Sequence, residues 1–112
     1  MTNFAISEPG IGRAIIKPVG RLNMAAAPSL SSTIADVVGA GRPHVVIDLS
    51  ETVFIDSSGL GALVASLKRC RQAGGDLRLA APTTQVTMAL ELTNLVRVLA
   101  PSETVDDALA RV

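Results

Sequence analysis

The sequence contains few of the residues that build nucleic-acid surfaces or disulfide frameworks. Among its 112 residues two are Phe and none is Tyr or Trp, so bases would find almost no aromatic side chain on which to stack. Ten basic and ten acidic residues give a formal net charge of zero, without the basic excess of a nucleic-acid-binding domain. The single cysteine, Cys70, has no partner for an intrachain disulfide and suits a reducing compartment. We therefore expect no nucleic-acid partner.

Long apolar runs are also missing. No window approaches the roughly 20 apolar residues that a membrane-spanning helix needs. The first residues, MTNFAISEPGIGRA, lack the basic flank and apolar run of a secretory signal. Apolar residues nevertheless make up 48% of the chain and charged residues 18%, which is typical of a globular protein. The sequence predicts a single cytoplasmic domain over residues 1–112 that makes no membrane contact.

Several catalytic and cofactor-binding motifs are incomplete. The glycines at 59–61 lack the third glycine of a dinucleotide fingerprint, and no Gly-Lys-Ser/Thr loop is present. No Gly-x-Ser-x-Gly elbow occurs, and one histidine with one cysteine cannot build a zinc site. We interpret His44 as structural or merely exposed and Cys70 as core filler. We expect no enzymatic activity, cofactor or metal, although a small phosphoryl-transfer or nucleotide-hydrolysing enzyme remains an alternative.

The hydrophobic pattern alternates between strand-like and helix-like segments. It predicts strands over residues 4–7, 14–19, 45–49, 76–80 and 96–99. It predicts helices over residues 24–38, 56–73, 83–92 and 101–112. The first two strands have hairpin spacing, Pro18 suggests a sheet edge, and Asn23 is a candidate N-cap for the first helix. The alternation predicts an α/β fold whose mixed, mostly parallel sheet has four to five strands, with about four helices.

The start of the second helix, DSSGLG at 56–61, holds more polar groups than one cap requires. Either Asp56 or Ser57 serves as the N-cap, a role worth about 1 kcal/mol. Capping explains one polar residue, whereas two glycines in a first helical turn each cost about 1 kcal/mol relative to alanine. We interpret the glycines as backbone kept uncrowded for an approaching partner. Because a helix N-terminus favours phosphate, a hydroxyl there is a candidate phosphoryl acceptor.

These residues resemble the STAS domain family, specifically its bacterial anti-sigma factor antagonists. The similar segments are VVIDLS at 45–50 and FIDSSGLG at 54–61, with weaker matches at 20–22, 72–75 and 92–95. The resemblance extends over nearly the whole chain and implies a STAS-like fold. It also implies a partner-switching protein rather than an enzyme.

In the resembling family, the antagonist binds an anti-sigma factor that is also an ATP-binding serine kinase, and so frees the sigma factor. The kinase phosphorylates the serine that follows the Asp, here Ser57, and a phosphatase removes the phosphate. The resemblance implies a partner-binding surface made by Asn23, Asp56, Ser57, Ser58, Gly59, Leu60 and Gly61. Close relatives often carry an acidic residue where this sequence has Asn23, which keeps a capping role and loses the charge. An alternative is an accessory STAS subunit of a transporter or stress-signalling complex, in which Ser57 is a cap and is never modified.

Overall fold

A computed structural model describes residues 3–112, which form a five-stranded sheet and five helices. In chain order the elements are β1 (Asn3–Ser7), β2 (Arg13–Leu22), α1 (Ala27–Gly39), β3 (His44–Asp48), β4 (Thr52–Ile55), α2 (Ser57–Gln72), β5 (Asp76–Ala80), α3 (Thr84–Leu92), α4 (Val96–Leu99) and α5 (Val105–Arg111). None of the helices between Asn3 and Val112 is long and apolar enough to cross a bilayer.

The sheet has the order β1-β2-β3-β5, with β4 paired to β2 beyond the end of β3. The β1–β2 pair is antiparallel, and the pairs β2–β3, β2–β4 and β3–β5 are parallel. This topology confirms the predicted mixed, mostly parallel α/β fold, its N-terminal hairpin and the predicted strand at Asp76–Ala80, which pairs with β3.

Apolar side chains fill both faces of the sheet. The main core joins sheet residues such as Ile47 and Leu79 to helix residues such as Ile34 and Leu63, all fully buried. On the other face, α5 packs Ala108 against Val46 and Ala80, with four partly buried neighbours from the strand and the helix end: Ile15, Val105, Leu109 and Val112. The helix predicted over residues 101–112 is therefore confirmed as the shorter helix Val105–Arg111.

Two predictions about strands are wrong. Residues 96–99, predicted as a strand, form the short helix α4, which raises the helix count from four to five. The fifth strand is instead β4, which has only four residues and lies outside the predicted strands. Both segments are too short for hydrophobic periodicity to decide between helix and strand, so tertiary packing determines their conformation.

Pro18 was predicted to mark a sheet edge, whereas it lies buried inside β2, which has neighbours on both sides. The β2–β3 pairing runs as far as Ile16, and the β2–β4 pairing begins at Gly20. Pro18 thus falls where one parallel partner has ended and the next has not begun, so its missing N–H breaks no ladder hydrogen bond there. Its carbonyl accepts a hydrogen bond of 3.1 Å from the buried Thr52 hydroxyl.

The lone cysteine and histidine both have structural positions. Cys70 is fully buried on α2, which confirms its interpretation as core filler. Desolvation by burial, with a smaller contribution from the Asp76 charge, raises the pKa of the Cys70 thiol to about 11. The thiol therefore stays protonated at neutral pH and is a poor nucleophile. His44 is half-buried at the start of β3, where its Nδ1 lies 3.1 Å from the Val112 carbonyl oxygen.

Candidate functional site

Asp56 forms the N-cap of α2 and joins the helix to a second segment. Its backbone is extended (φ −113°, ψ −174°), and its Oδ1 accepts a hydrogen bond of 3.0 Å from the Gly59 amide. Its Oδ2 accepts another of 3.1 Å from the amide of Met24, which lies in the turn after β2. The Asp56 amide in turn donates to the Leu22 carbonyl at 3.3 Å. One carboxylate thus holds the first turn of α2 against the end of β2.

We expect Asp56→Ala to lower the free energy of unfolding by about 1–2 kcal/mol, because the helix loses its cap and the Met24 amide loses its acceptor. Urea unfolding followed by circular dichroism measures the change. The control is Asp56→Asn, which keeps an acceptor oxygen for Gly59 and is expected to cost less. An alanine variant as stable as the wild type would contradict the assigned double contact.

Ser57 is the first residue of α2, and its side chain is exposed to solvent. Ser58, the next hydroxyl, is half-buried. Because an N-terminal helical position carries partial positive charge and unsatisfied amides, a negative group added to the Ser57 oxygen meets a favourable local field. Ser57 is therefore the more accessible of the two hydroxyls at the start of α2.

Gly59 is a glycine for a reason internal to the fold. A Cβ placed there would lie 2.2 Å from the Leu22 carbonyl oxygen and 2.8 Å from Cγ1 of Ile55. The interpretation that both glycines leave room for a partner is therefore wrong for Gly59, which lets α2 approach β2 closely. Gly61 differs, because a Cβ there would meet nothing within 4 Å.

Ser57 borders a shallow groove of about 470 Å³ that runs along α2. The groove is lined by Ser57, Leu60, Gly61, Val64, Ala65, Lys68, Thr93 and Leu95. Leu60 contributes little accessible surface, since only 4% of it is exposed, whereas Gly61 is exposed. The accessible part of the predicted partner-binding segment is therefore the α2 face that carries Ser57 and Gly61.

Asn23 does not cap α1 directly. Its Oδ1 accepts hydrogen bonds of 3.1 Å from the Ala25 amide and 3.2 Å from the Ala26 amide, whereas α1 begins later, with Ala26 as N-cap. The predicted N-cap thus stabilises the turn that precedes α1. Asn23 is half-buried and directly precedes Met24, whose amide binds Asp56, so it borders the Asp56–Ser57 segment.

Two members of the site were not identified from the sequence. Met24 lies 32 residues before its hydrogen-bond partner Asp56, and Gln85 lies 30 residues after its partner Ile55. Gln85 is on α3, and its side-chain amide binds the residue that precedes Asp56. The sequence has no local signal for either contact, because both depend on how the sheet brings distant segments together.

Comparisons with known proteins agree with this fold. The family model described as STAS domain matches residues 5–108. A protein from Thermotoga maritima, provisionally assigned as an anti-sigma factor antagonist, is 31% identical over 99 residues, which cover 88% of each chain. The crystal structure of an anti-sigma factor antagonist from Mycobacterium paratuberculosis superposes with a TM-score of 0.87 at 28% identity, covering 100% of this chain and 94% of the other.

The Bacillus anti-sigma factor antagonist SpoIIAA shares the fold at lower identity. Its unphosphorylated form has a TM-score of 0.82 at 19% identity, with 97% of this chain and 95% of SpoIIAA covered. Its phosphorylated form has a TM-score of 0.73 at 18% identity, with 97% and 98% covered. Since the family model covers nearly the whole chain and the named relatives agree with it, this protein belongs to the STAS domain family, among the anti-sigma factor antagonists.

Proposed function

We propose that this protein is an anti-sigma factor antagonist that is switched by phosphorylation of Ser57. The unphosphorylated protein binds an anti-sigma factor of the ATP-binding serine kinase type and so frees the sigma factor. Phosphorylation ends that binding, and a phosphatase restores it, both in the cytoplasm. The observation that carries the proposal is the exposed hydroxyl of Ser57 at the first position of α2, directly after the capping Asp56.

The transfer step needs only this hydroxyl and groups of the kinase. The Ser57 oxygen attacks the γ-phosphorus of ATP, the bond from that phosphorus to the ADP oxygen breaks, and a base on the kinase takes the hydroxyl proton. The phosphatase reverses the modification by adding water across the new P–O bond, which releases phosphate and restores the hydroxyl.

The switch follows from a difference between two electrostatic environments. Phosphorylation adds about −1.5 to −2 charges at the start of α2, where the helix dipole favours negative charge by about 0.3–1 kcal/mol. At an interface, the same charge must lose water or face other charges, which costs several kcal/mol. Every ~1.4 kcal/mol weakens binding tenfold, so one phosphate suffices to release the partner while the fold persists.

The proposed partner surface centres on the exposed Ser57 and Gly61, with Ser58 and Asn23 at its border. Asp56 acts through its hydrogen bonds, since both of its carboxylate oxygens are engaged by amides. Gly59 and Leu60 are buried, so they shape this surface from beneath rather than touch the partner. Asn23 supplies no charge, and kinase recognition at this border therefore relies on shape and hydrogen bonds.

Incubation with ATP and the ATP-binding anti-sigma factor kinases encoded in the same genome tests the proposal. We expect intact-mass measurement to show one added phosphoryl group on the wild type and on Ser58→Ala, and none on Ser57→Ala. Treatment with the cognate phosphatase should restore the original mass. A wild type that stays unmodified with every such kinase, or an adduct that persists in Ser57→Ala, would contradict phosphorylation of Ser57 and favour an accessory subunit.

A further inference from the structure

The outer edge of β4 is closed by side chains rather than by another strand. Within the described sheet β4 pairs only with β2, which leaves its other edge for helix α3. The Gln85 side chain makes two hydrogen bonds there: its Oε1 accepts from the Ile55 amide at 2.9 Å, and its Nε2 donates to the Ile55 carbonyl at 3.2 Å. A single amide thus pairs with both backbone groups of one residue, as a neighbouring strand would.

The residue held in this way is the last one of β4 and lies directly before Asp56. Ile55 is almost completely buried, and on its other side β4 pairs with Leu22 of β2. The next residue, Asp56, is held by the Leu22 carbonyl and the Met24 amide. Gln85 therefore fixes, from α3, the backbone of Ile55, and the chain continues from there directly into Asp56 and Ser57.

We propose that Gln85 is a positioning residue for the phosphorylation of Ser57, an inference that rests on the proposed function. Gln85 touches neither Ser57 nor the phosphate, and it acts through Ile55 and Asp56. Phosphoryl transfer depends strongly on the placement of the attacking oxygen, and a displacement of about 1 Å can slow a reaction about a hundredfold. Loss of the Gln85 contact is therefore expected to slow phosphorylation by about tenfold or more.

A second contact at the same edge offers a matched control. The Thr83 hydroxyl donates a hydrogen bond of 2.9 Å to the carbonyl of Thr52, the first residue of β4. Like Gln85, Thr83 is partly buried and joins the start of α3 to the β4 edge. Thr83 binds the first residue of β4, whereas Gln85 binds the last residue, which is the one nearer to Ser57 in the sequence. Thr83→Val thus removes a hydrogen bond at the edge of β4 and leaves both Gln85 hydrogen bonds to Ile55 in place.

The first experiment needs no kinase. Amide hydrogen exchange is measured in the wild type, Gln85→Ala and Thr83→Val under conditions where all three are folded. We expect Gln85→Ala to accelerate exchange of the Ile55 and Gly59 amides by about tenfold, the effect of losing a typical hydrogen bond, and Thr83→Val to leave both unchanged. Unchanged exchange of Gly59 in Gln85→Ala would overturn the positioning role, whether or not Ser57 is ever phosphorylated.

The second experiment compares phosphorylation rates under the kinase that modifies the wild type. We expect Gln85→Ala to reduce kcat by about tenfold with a smaller change in KM, since the acceptor is misplaced while the outer surface persists. Thr83→Val should keep wild-type kinetics. Equal loss in both variants would reduce Gln85 to a stability role. Absence of phosphorylation in the wild type would contradict the proposed function and leave the exchange result as the test of Gln85.

The variant Gln85→Glu tests whether the two hydrogen bonds of Gln85 matter, because glutamate has nearly the same size as glutamine and changes the hydrogen bonding. An ionised carboxylate accepts from the Ile55 amide but cannot donate to the Ile55 carbonyl, whereas a protonated carboxyl does both. We expect Gln85→Glu to be slow at about pH 8 and to recover relative to the wild type toward about pH 5, as the carboxyl is protonated. A rate ratio that does not change with pH would contradict the two-bond role of Gln85.

Discussion

Ser57→Asp is expected to release the anti-sigma partner without unfolding the protein. The carboxylate places a permanent negative charge at the first position of α2, where the dipole offsets its repulsion from the neighbouring Asp56. The free energy of unfolding should change by no more than about 1 kcal/mol, because the site is exposed. The affinity for the partner should fall by about a hundredfold, equivalent to about 2.7 kcal/mol, because a charge buried at an interface without a counter-charge is costly.

Two control variants test whether the loss of affinity comes from added charge anywhere on the protein or from loss of the Ser57 hydroxyl alone. Gln72→Glu adds the same charge at the exposed far end of α2, about 22 Å away along the helix axis, and is expected to bind like the wild type. Ser57→Ala removes the hydroxyl without adding charge, and it should bind while resisting phosphorylation. Titration calorimetry measures all three affinities. Wild-type affinity in Ser57→Asp would contradict an electrostatic switch at this position.

The regular parts of the fold follow from sequence patterns, and the short parts do not. The strand at Asp76–Ala80 alternates in burial as its sequence alternates, and α5 buries its apolar side chains against the sheet. Val96–Leu99 has the composition of a strand, but it forms α4 between two residues in the left-handed region, Asn94 (φ 58°) and Ala100 (φ 42°). Four residues contain too little periodicity to predict this outcome.

The site shows the same division between local and long-range information. Asp56 and Ser57 lie in a capping pattern that the sequence makes explicit, and the structure places the cap on Asp56. The contacts of Met24 and Gln85 join residues that are 32 and 30 positions apart, so no local propensity encodes them. The sequence also does not distinguish Gly59 from Gly61. Only the structure shows that backbone of β2 lies beside Gly59 and that the space beside Gly61 is open.

The segment from Ile55 to Asp56, which directly precedes Ser57, is held by three separate elements, and this restricts how the proposed switch can work. β2 binds it through the Leu22 carbonyl, the turn after β2 through the Met24 amide, and α3 through Gln85. A segment fixed from three directions has little freedom to rearrange when a group is added to its exposed side. We therefore expect phosphorylation to act through the new surface charge rather than through a change of fold.

Helix α2 approaches the backbone of β2 closely at Gly59, and Gly59→Ala is expected to be the most destabilising substitution in the site. The added methyl group would lie 2.2 Å from the Leu22 carbonyl oxygen, which belongs to the backbone of β2 and cannot rotate away. Relief of this overlap requires α2 to move away from β2, which strains the hydrogen bonds of Asp56 to Leu22 and Met24. We expect a loss of about 3 kcal/mol or more in the free energy of unfolding.

Gly61→Ala makes the same chemical change two residues later in the same helix and is the matched control. Since no atom lies within 4 Å of the added Cβ, only the helix propensity changes, and the variant should gain about 0.5–1 kcal/mol. Urea unfolding of the two variants beside the wild type measures both changes. Opposite signs are expected, because backbone of β2 lies beside Gly59 and open space lies beside Gly61. A Gly59→Ala variant within about 1 kcal/mol of the wild type would show that α2 does not need its close approach to β2.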